Sequence, residues 1–280
     1  MPFTVSHVAV VLPARWLPAR LVLPAAPLVT GAMVPDLPMF LGSSLRSTTH
    51  AWSSVPTLDA ALAVGTALLW TLGLRDLVQR LAPGLAARWH PAPLGRASAG
   101  GTALRWYLAG LVGSASHLAL DAFTHEGPFV ERIPLLAHRV GPFEVAGWLQ
   151  YGLSAVGLLV LAVWALRWWR TTEPRHEVLP PGVPALRTGP VLALAGGLLA
   201  LGTVVGLAQG LDAARDAGPG SHHLWRLRLL SARGAFAGGG AVLAGLAVVA
   251  VCWRVGRATG RWPEPAPSAR PLPEPAGRRR

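Results

Sequence analysis

Lysine is missing altogether from these 280 residues, and cysteine occurs once, as Cys252. A lone cysteine excludes an intrachain disulfide and any zinc site built on several thiolates. Charge is sparse at 14% of residues against 52% hydrophobic, and a soluble domain of this length would have little room to hide so much apolar surface. The Gly-x-x-x-x-Gly-Lys phosphate loop, a dinucleotide fingerprint and a haem-attachment motif are also absent, so those chemistries have no motif to rest on. The opening Met-Pro-Phe-Thr-Val-Ser-His-Val lacks the basic region and clean apolar core of a signal peptide, and the N-terminus is read as retained.

What remains is arginine and long apolar runs. All 25 basic residues are arginine, and with 13 acids the formal net charge is +12. Such a balance can serve nucleic acid, but in an apolar chain arginines gather in cytoplasmic loops, so the expected partner is a lipid bilayer and not nucleic acid. The expected fold is an all-α polytopic membrane helix bundle. Five runs have about the 17–25 residues that a hydrocarbon core requires: Val55 to Leu74, Trp106 to Phe123, Val145 to Leu166, Pro190 to Leu211, and Ala235 to Trp253. The run from Leu17 to Leu41 is apolar too, but five prolines interrupt it. Short helices against the bundle, or a re-entrant hairpin, are expected there.

These runs divide the chain into an N-terminal segment (1–54), a transmembrane bundle (55–253) and an Arg/Pro-rich tail (254–280) that cannot bury a core and is expected to be disordered. The glycines of the fourth and fifth runs fit close helix packing. Five spans place nine arginines on one side and sixteen on the other, including Arg278, Arg279 and Arg280. The richer side should be cytoplasmic, with the N-terminus outside a cytoplasmic membrane.

Against this apolar background, His117, Asp121 and His125 recur every fourth residue at the end of the second run. Each step of four turns a helix face by only about 40°, so the three share one stripe, and adjacent members rise about 6 Å. That spacing lets neighbouring side chains converge on a metal ion. Ionisable groups inside a span are expensive and usually face the bundle interior. His7, Asp36 and His50 all precede the first run, so a second span returning to their side brings His125 to them and Asp121 near them. His138 is a reserve ligand on that side, whereas His90, His176, His222 and His223 are read as solvated loop residues. Singly, each residue has a plainer explanation: a hydrogen-bonded core histidine, a turn cap at Asp36, or a helix C-cap at His125.

Five motifs carry a family resemblance. Met-Pro-Phe-Thr-x-Ser-His at the start, Gly-x-Met-x-Pro-Asp-x-Pro at 31–38, Thr-His at 49–50, Ser-His-x-x-x-Asp-x-x-Thr-His at 116–125, and Trp-Leu-Gln-x-Gly at 148–152 resemble the bacterial membrane-protein family called domain of unknown function 4184. The likeness runs in order through roughly the first 155 residues. A looser similarity extends to membrane-bound metal-dependent hydrolases and to the soluble zinc-dependent phospholipase C and nuclease group. That likeness implies His50, His117, Asp121 and His125 as ligands, His7 as an additional one, and Asp36 as ligand or base. The second His-x-x-x-Glu or His-x-x-x-Asp pair of that group is missing, which leaves one or two ions and not three.

Three functions follow as alternatives. In a metal-dependent hydrolase at the outer membrane surface, Zn or another divalent ion would activate water, and Asp36 would orient or deprotonate it. The substrate would be a phosphoester or lipid-linked, its anionic group held by Arg132 or Arg139. In a non-catalytic protein, Ser114, Ser116, Gln150 and Ser154 would partner His117 and Asp121 in a structural polar network. If a metal binds, Ser116, Gln150 and Ser154 are the expected outer-shell supports. A proton or ion pathway could use the same residues.

Overall fold

The computed structural model describes residues 4–16, 23–41, 45–89, 99–174, 188–218 and 223–259. Short helical pieces come first, as the prolines require. They are a 3-10 turn at Thr4–His7, a helix at Ala25–Gly31 (α1), a 3-10 turn at Val34–Asp36 and single turns at Leu37–Phe40 and Arg46–Thr49. Five long helical elements follow. The first is Ala60–Leu69 (α2), extended by π-turns at Val55–Asp59 and Trp70–Leu74. The others are Ala99–Thr124 (α3), Val145–Thr171 (α4), Thr188–Asp216 (α5) and His223–Ala258 (α6).

Each expected span thus lies within a helix, and among the described residues four stretches are long and apolar enough to cross a membrane: Trp52–Leu74, Val145–Thr171, Leu192–Asp216 and Leu229–Gly256. The exception is α3, which is 26 residues long but carries Arg105, Ser114, Ser116, His117 and Asp121. Outward leucines such as Leu192 and Leu199, each 66% exposed, point to a bilayer as the surrounding medium.

Three local features depart from the expectation. Arg139–Val140 and Phe143–Glu144 form a two-stranded antiparallel ribbon, turned by Gly141 at φ 64°. The last helix runs to Ala258, past Trp253, so the expected tail begins later; its residues 260–280 lie outside the described residues, as do His90, His176 and His222. His223 is the first residue of α6 and not a loop residue, although it is exposed.

Glycine contacts set the positions of the elements. A Cβ on Gly31 would stand 2.5 Å from the Gly110 carbonyl oxygen, and one on Gly113 would strike the Leu28 carbonyl and the Ala32 backbone. Helix α1 therefore rests backbone-to-backbone on α3, with Leu28, Ala32 and Ala109 joining Val11 in a small core. A Cβ on Gly157 would lie 2.8 Å from the Ser6 carbonyl oxygen, so the N-terminal turn sits equally close on α4. In the C-terminal hairpin, Gly202, Gly206 and Gly210 of α5 pack against Gly234 and Gly238 and the Leu230 backbone of α6. That is the small-residue packing expected of spans, where lipid supplies no hydrophobic drive between helices.

Candidate metal centre

The contact between α1 and α3 delivers the Ala32 carbonyl to the middle of the polar stripe. His117 Nδ1 lies 2.9 Å from that oxygen. A carbonyl can only accept, so Nδ1 carries the proton, and a neutral His117 ring presents a lone pair at Nε2. His50 is held in the same way, its Nδ1 donating to the Arg46 carbonyl at 3.1 Å. Two imidazoles therefore offer Nε2 to a common centre, as first-row divalent ions require.

The two carboxylates complete it. Asp36 is fixed by the proline-bounded turn and by Thr4, whose hydroxyl donates to Oδ2 at 2.6 Å, leaving Oδ1 to the centre. Thr49 braces the same turn by donating to the Pro35 carbonyl at 2.7 Å. His50 Nε2 is 3.4 Å from Asp36 Oδ1 and 3.5 Å from Asp121 Oδ2. His117 Nε2 is 3.7 Å from Asp36 Oδ1 and 3.5 Å from Asp121 Oδ2. All four ligand atoms lie within 4.8 Å of one another.

These separations can be tested against an ion. Four ligands at about 2.0–2.2 Å around a tetrahedral centre stand about 3.3–3.6 Å apart, close to the four histidine–carboxylate separations. The alternative is hydrogen bonding, yet Asp36 Oδ1, His50 Nε2 and His117 Nε2 are buried without a hydrogen-bond partner. A buried polar atom without a partner is costly, and three that face one another fit a shared cation. A buried Asp/His/His/Asp group of this kind could hold a metal ion.

Electrostatics give the same sign. Burial disfavours charge on His50, but the Asp121 and Asp36 carboxylates outweigh it and lift its pKa to about 9. Burial also opposes ionisation of Asp36, yet His50, His117 and Thr4 hold its carboxyl below the usual range. Burial and the neighbouring His117 push His7 down to about 4. The paired carboxylates thus demand positive charge at the centre, from a proton on His50 or from a cation.

His7 and His125 stand beside the four. His7 is 1% exposed, with Nε2 3.5 Å from Asp121 Oδ1. His125 Nδ1 is 3.3 Å from that oxygen, and Gln150 Nε2 lies 2.6 Å from His125 Nε2. All six stripe and N-terminal residues therefore meet.

The serines do otherwise than expected. Ser114 donates to the Gly31 carbonyl, Ser116 to the Gly113 carbonyl and Ser154 to the Gln150 carbonyl. Each is spent on backbone, so none partners His117 or Asp121, and only Gln150 reaches a stripe residue. His138 is exposed, and its carbonyl accepts the amide of Val145 at the start of α4; it does not line the cavity at the centre.

That cavity, about 800 Å³, opens beside the cluster and is lined by His50, Asp121, His125, Arg46, Arg132 and Arg139. Trp52, Phe129, Phe143 and Tyr151 add an aromatic wall. Arg132 and Arg139 were expected; Arg46, whose carbonyl orients His50, was not. Also unforeseen is Asp59, fully buried, with Ser54 donating to Oδ2 at 2.6 Å and Oδ1 without a partner. Its sequence signal was a carboxylate just inside an apolar run, three residues after Pro56.

Residues 1–251 match the family described as Domain of unknown function (DUF4184), and the chain belongs to that family. No curated protein and no solved structure matches it.

Proposed function

We propose that this DUF4184 protein is a divalent-metal-dependent hydrolase acting on a phosphoester or lipid-linked substrate at the membrane surface. The observation that carries this reading is the set of three buried, unpartnered ligand atoms on Asp36, His50 and His117, which with Asp121 sit at ligand spacing beside a cavity bearing three arginines. Held there, a divalent ion, zinc in the first instance, would supply Lewis-acid chemistry, lowering the pKa of water to about 7 and polarising a phosphoryl oxygen.

The chain's own residues supply the rest. His50 and His117 would hold the ion through Nε2, their tautomers set by the Arg46 and Ala32 carbonyls. Asp121 would bind it through Oδ2, and Asp36, kept ionised, would either fill the fourth position through Oδ1 or, where water takes that position, accept the proton that water gives up. Arg132 and Arg139, with Arg46, face the cavity as donors to an anionic group. In the reaction a water oxygen bonds to phosphorus, the ester P–O bond breaks, and the alcohol leaves with a proton. The aromatic wall offers an apolar surface for the leaving chain.

We place the centre on the outer face of a cytoplasmic membrane. In this reading α3 is a fifth span, and the sixteen-arginine side, with the C-terminus, is cytoplasmic.

The test is turnover by chelator-stripped, detergent-purified protein on phosphate monoesters, diesters and phospholipid headgroups, with and without added Zn²⁺. The reading expects hydrolysis that needs the ion and disappears in Asp121→Ala. No ion-dependent hydrolysis of any of these, or equal turnover by Asp121→Ala, would overturn it. The hydrogen bonds from Thr4 to Asp36 and Ser54 to Asp59 favour a second reading, a structural polar network without catalysis. That reading expects His117→Ala to lower thermal stability while chelation of the wild type leaves it unchanged.

A further inference from the structure

We propose that the centre has a second cation position, bounded by His7 Nε2, His125 Nδ1 and Asp121 Oδ1, so that the Asp121 carboxylate bridges two ions. The inference rests on the first position proposed above. Its basis is a division of labour within one carboxylate. Asp121 Oδ2 faces His50 and His117, whereas Oδ1 faces His7 at 3.5 Å and His125 at 3.3 Å. Oδ1 is buried and accepts no hydrogen bond, which a cation would remedy.

The stacking of His7 on His117 supplies the second, independent observation. The ring centroids are 3.9 Å apart and the planes 18° from parallel. Each ring turns Nε2 to a different oxygen of the same carboxylate. Ions held by two stacked rings would be spaced about as the rings are, and two-metal sites place their ions about 3.5–4 Å apart.

The two positions differ in their outer support. His117 and His50 have their Nδ1 protons taken by backbone carbonyls. His7 Nδ1 has no hydrogen-bond partner among the described residues. His125 offers Nδ1 to an ion only when Nε2 carries the proton, which requires the Gln150 amide to turn its oxygen toward the ring by a half-turn. The second position therefore fills after the first and at higher ion concentration.

The experiment titrates chelator-stripped, detergent-purified full chain with Mn²⁺, counting bound ions and recording electron paramagnetic resonance. The wild type should bind two ions per chain in separate steps and show an exchange-coupled pair at saturation. His7→Phe keeps a ring stacked on His117 but removes the ligand; it should bind one ion and show no coupled pair. His125→Ala, at the more exposed member, should do the same and serves if His7→Phe does not fold. A single ion at saturation in the wild type, or a coupled pair in either variant, overturns the second position and leaves the first standing. No bound ion at all overturns both.

Discussion

The N-terminal contact between α1 and α3 and the C-terminal hairpin of α5 and α6 are built with the same device and end differently. In both, glycines let backbones approach to distances a Cβ would forbid. Between α5 and α6, Gly206 and Gly238 meet backbone carbonyls of the opposite helix, and the outer faces carry exposed leucines and valines. Between α1 and α3, the approach at Gly31, Gly110 and Gly113 puts the Ala32 carbonyl on His117 and carries Asp36 to the stripe. Small residues set how near two helices come. What the approach is used for depends on the polar groups one turn further on.

The comparison can be broken most severely at Gly113. Leucine there would push α1 off α3 and take the Ala32 carbonyl from His117, so bound metal should fall to background; wild-type metal content in Gly113→Leu would show that the approach does not build the site. Removing the Thr4 hydroxyl is milder. Thr4→Val should weaken ion affinity about 10–100-fold, the usual cost of losing an outer-shell bond, as read by competition with a chelating dye.

Acidity acts through His50. With its pKa raised to about 9, the metal-free centre holds a proton there at lower pH, and an incoming ion must displace it. Affinity should therefore rise by about tenfold per pH unit up to about 9 and level off above, with one proton released per ion. Calorimetry in buffers of different ionisation enthalpy measures that proton, and flat affinity between pH 6 and 8 would count against His50 as a ligand.

Arg132→Ala should raise KM for an anionic substrate about fivefold with little change in kcat, since an exposed charge pair contributes about 1 kcal/mol or less. The smallest effect on the site belongs to the hairpin. Gly206→Leu should destabilise the protein by about 1–3 kcal/mol through overpacking, yet leave metal per folded chain unchanged. Metal loss there would join the two regions that the comparison separates.

Much of this was readable from the chain. The four-residue recurrence of His117, Asp121 and His125 is a local pattern, and helix geometry turns it directly into a shared face. His7, Asp36 and His50 could be brought to that face by counting spans, because topology needs only the number of crossings. The contacts that orient the ligands were not readable. Thr4 to Asp36 spans 32 residues and His117 to Ala32 spans 85, and no periodicity encodes such pairings. Ser116 misled because adjacency to a histidine resembles support, whereas a helical serine readily returns its hydroxyl to the preceding turn, here to Gly113. Asp59 went unread because the apolar residues around it dominate the run. The departure of α3 from the apolar spans has the same origin as the cluster: Ser114, His117 and Asp121 face inward to α1 and the N-terminal turn, so the polar cost is met by protein contacts.

The central claim is that Asp36, His50, His117 and Asp121 hold a divalent ion. Metal analysis of detergent-purified wild type beside His117→Ala tests it most directly. The account predicts stoichiometric divalent metal in the wild type and background levels in folded His117→Ala. Wild-type protein that carries no such metal and takes up none on titration would contradict it.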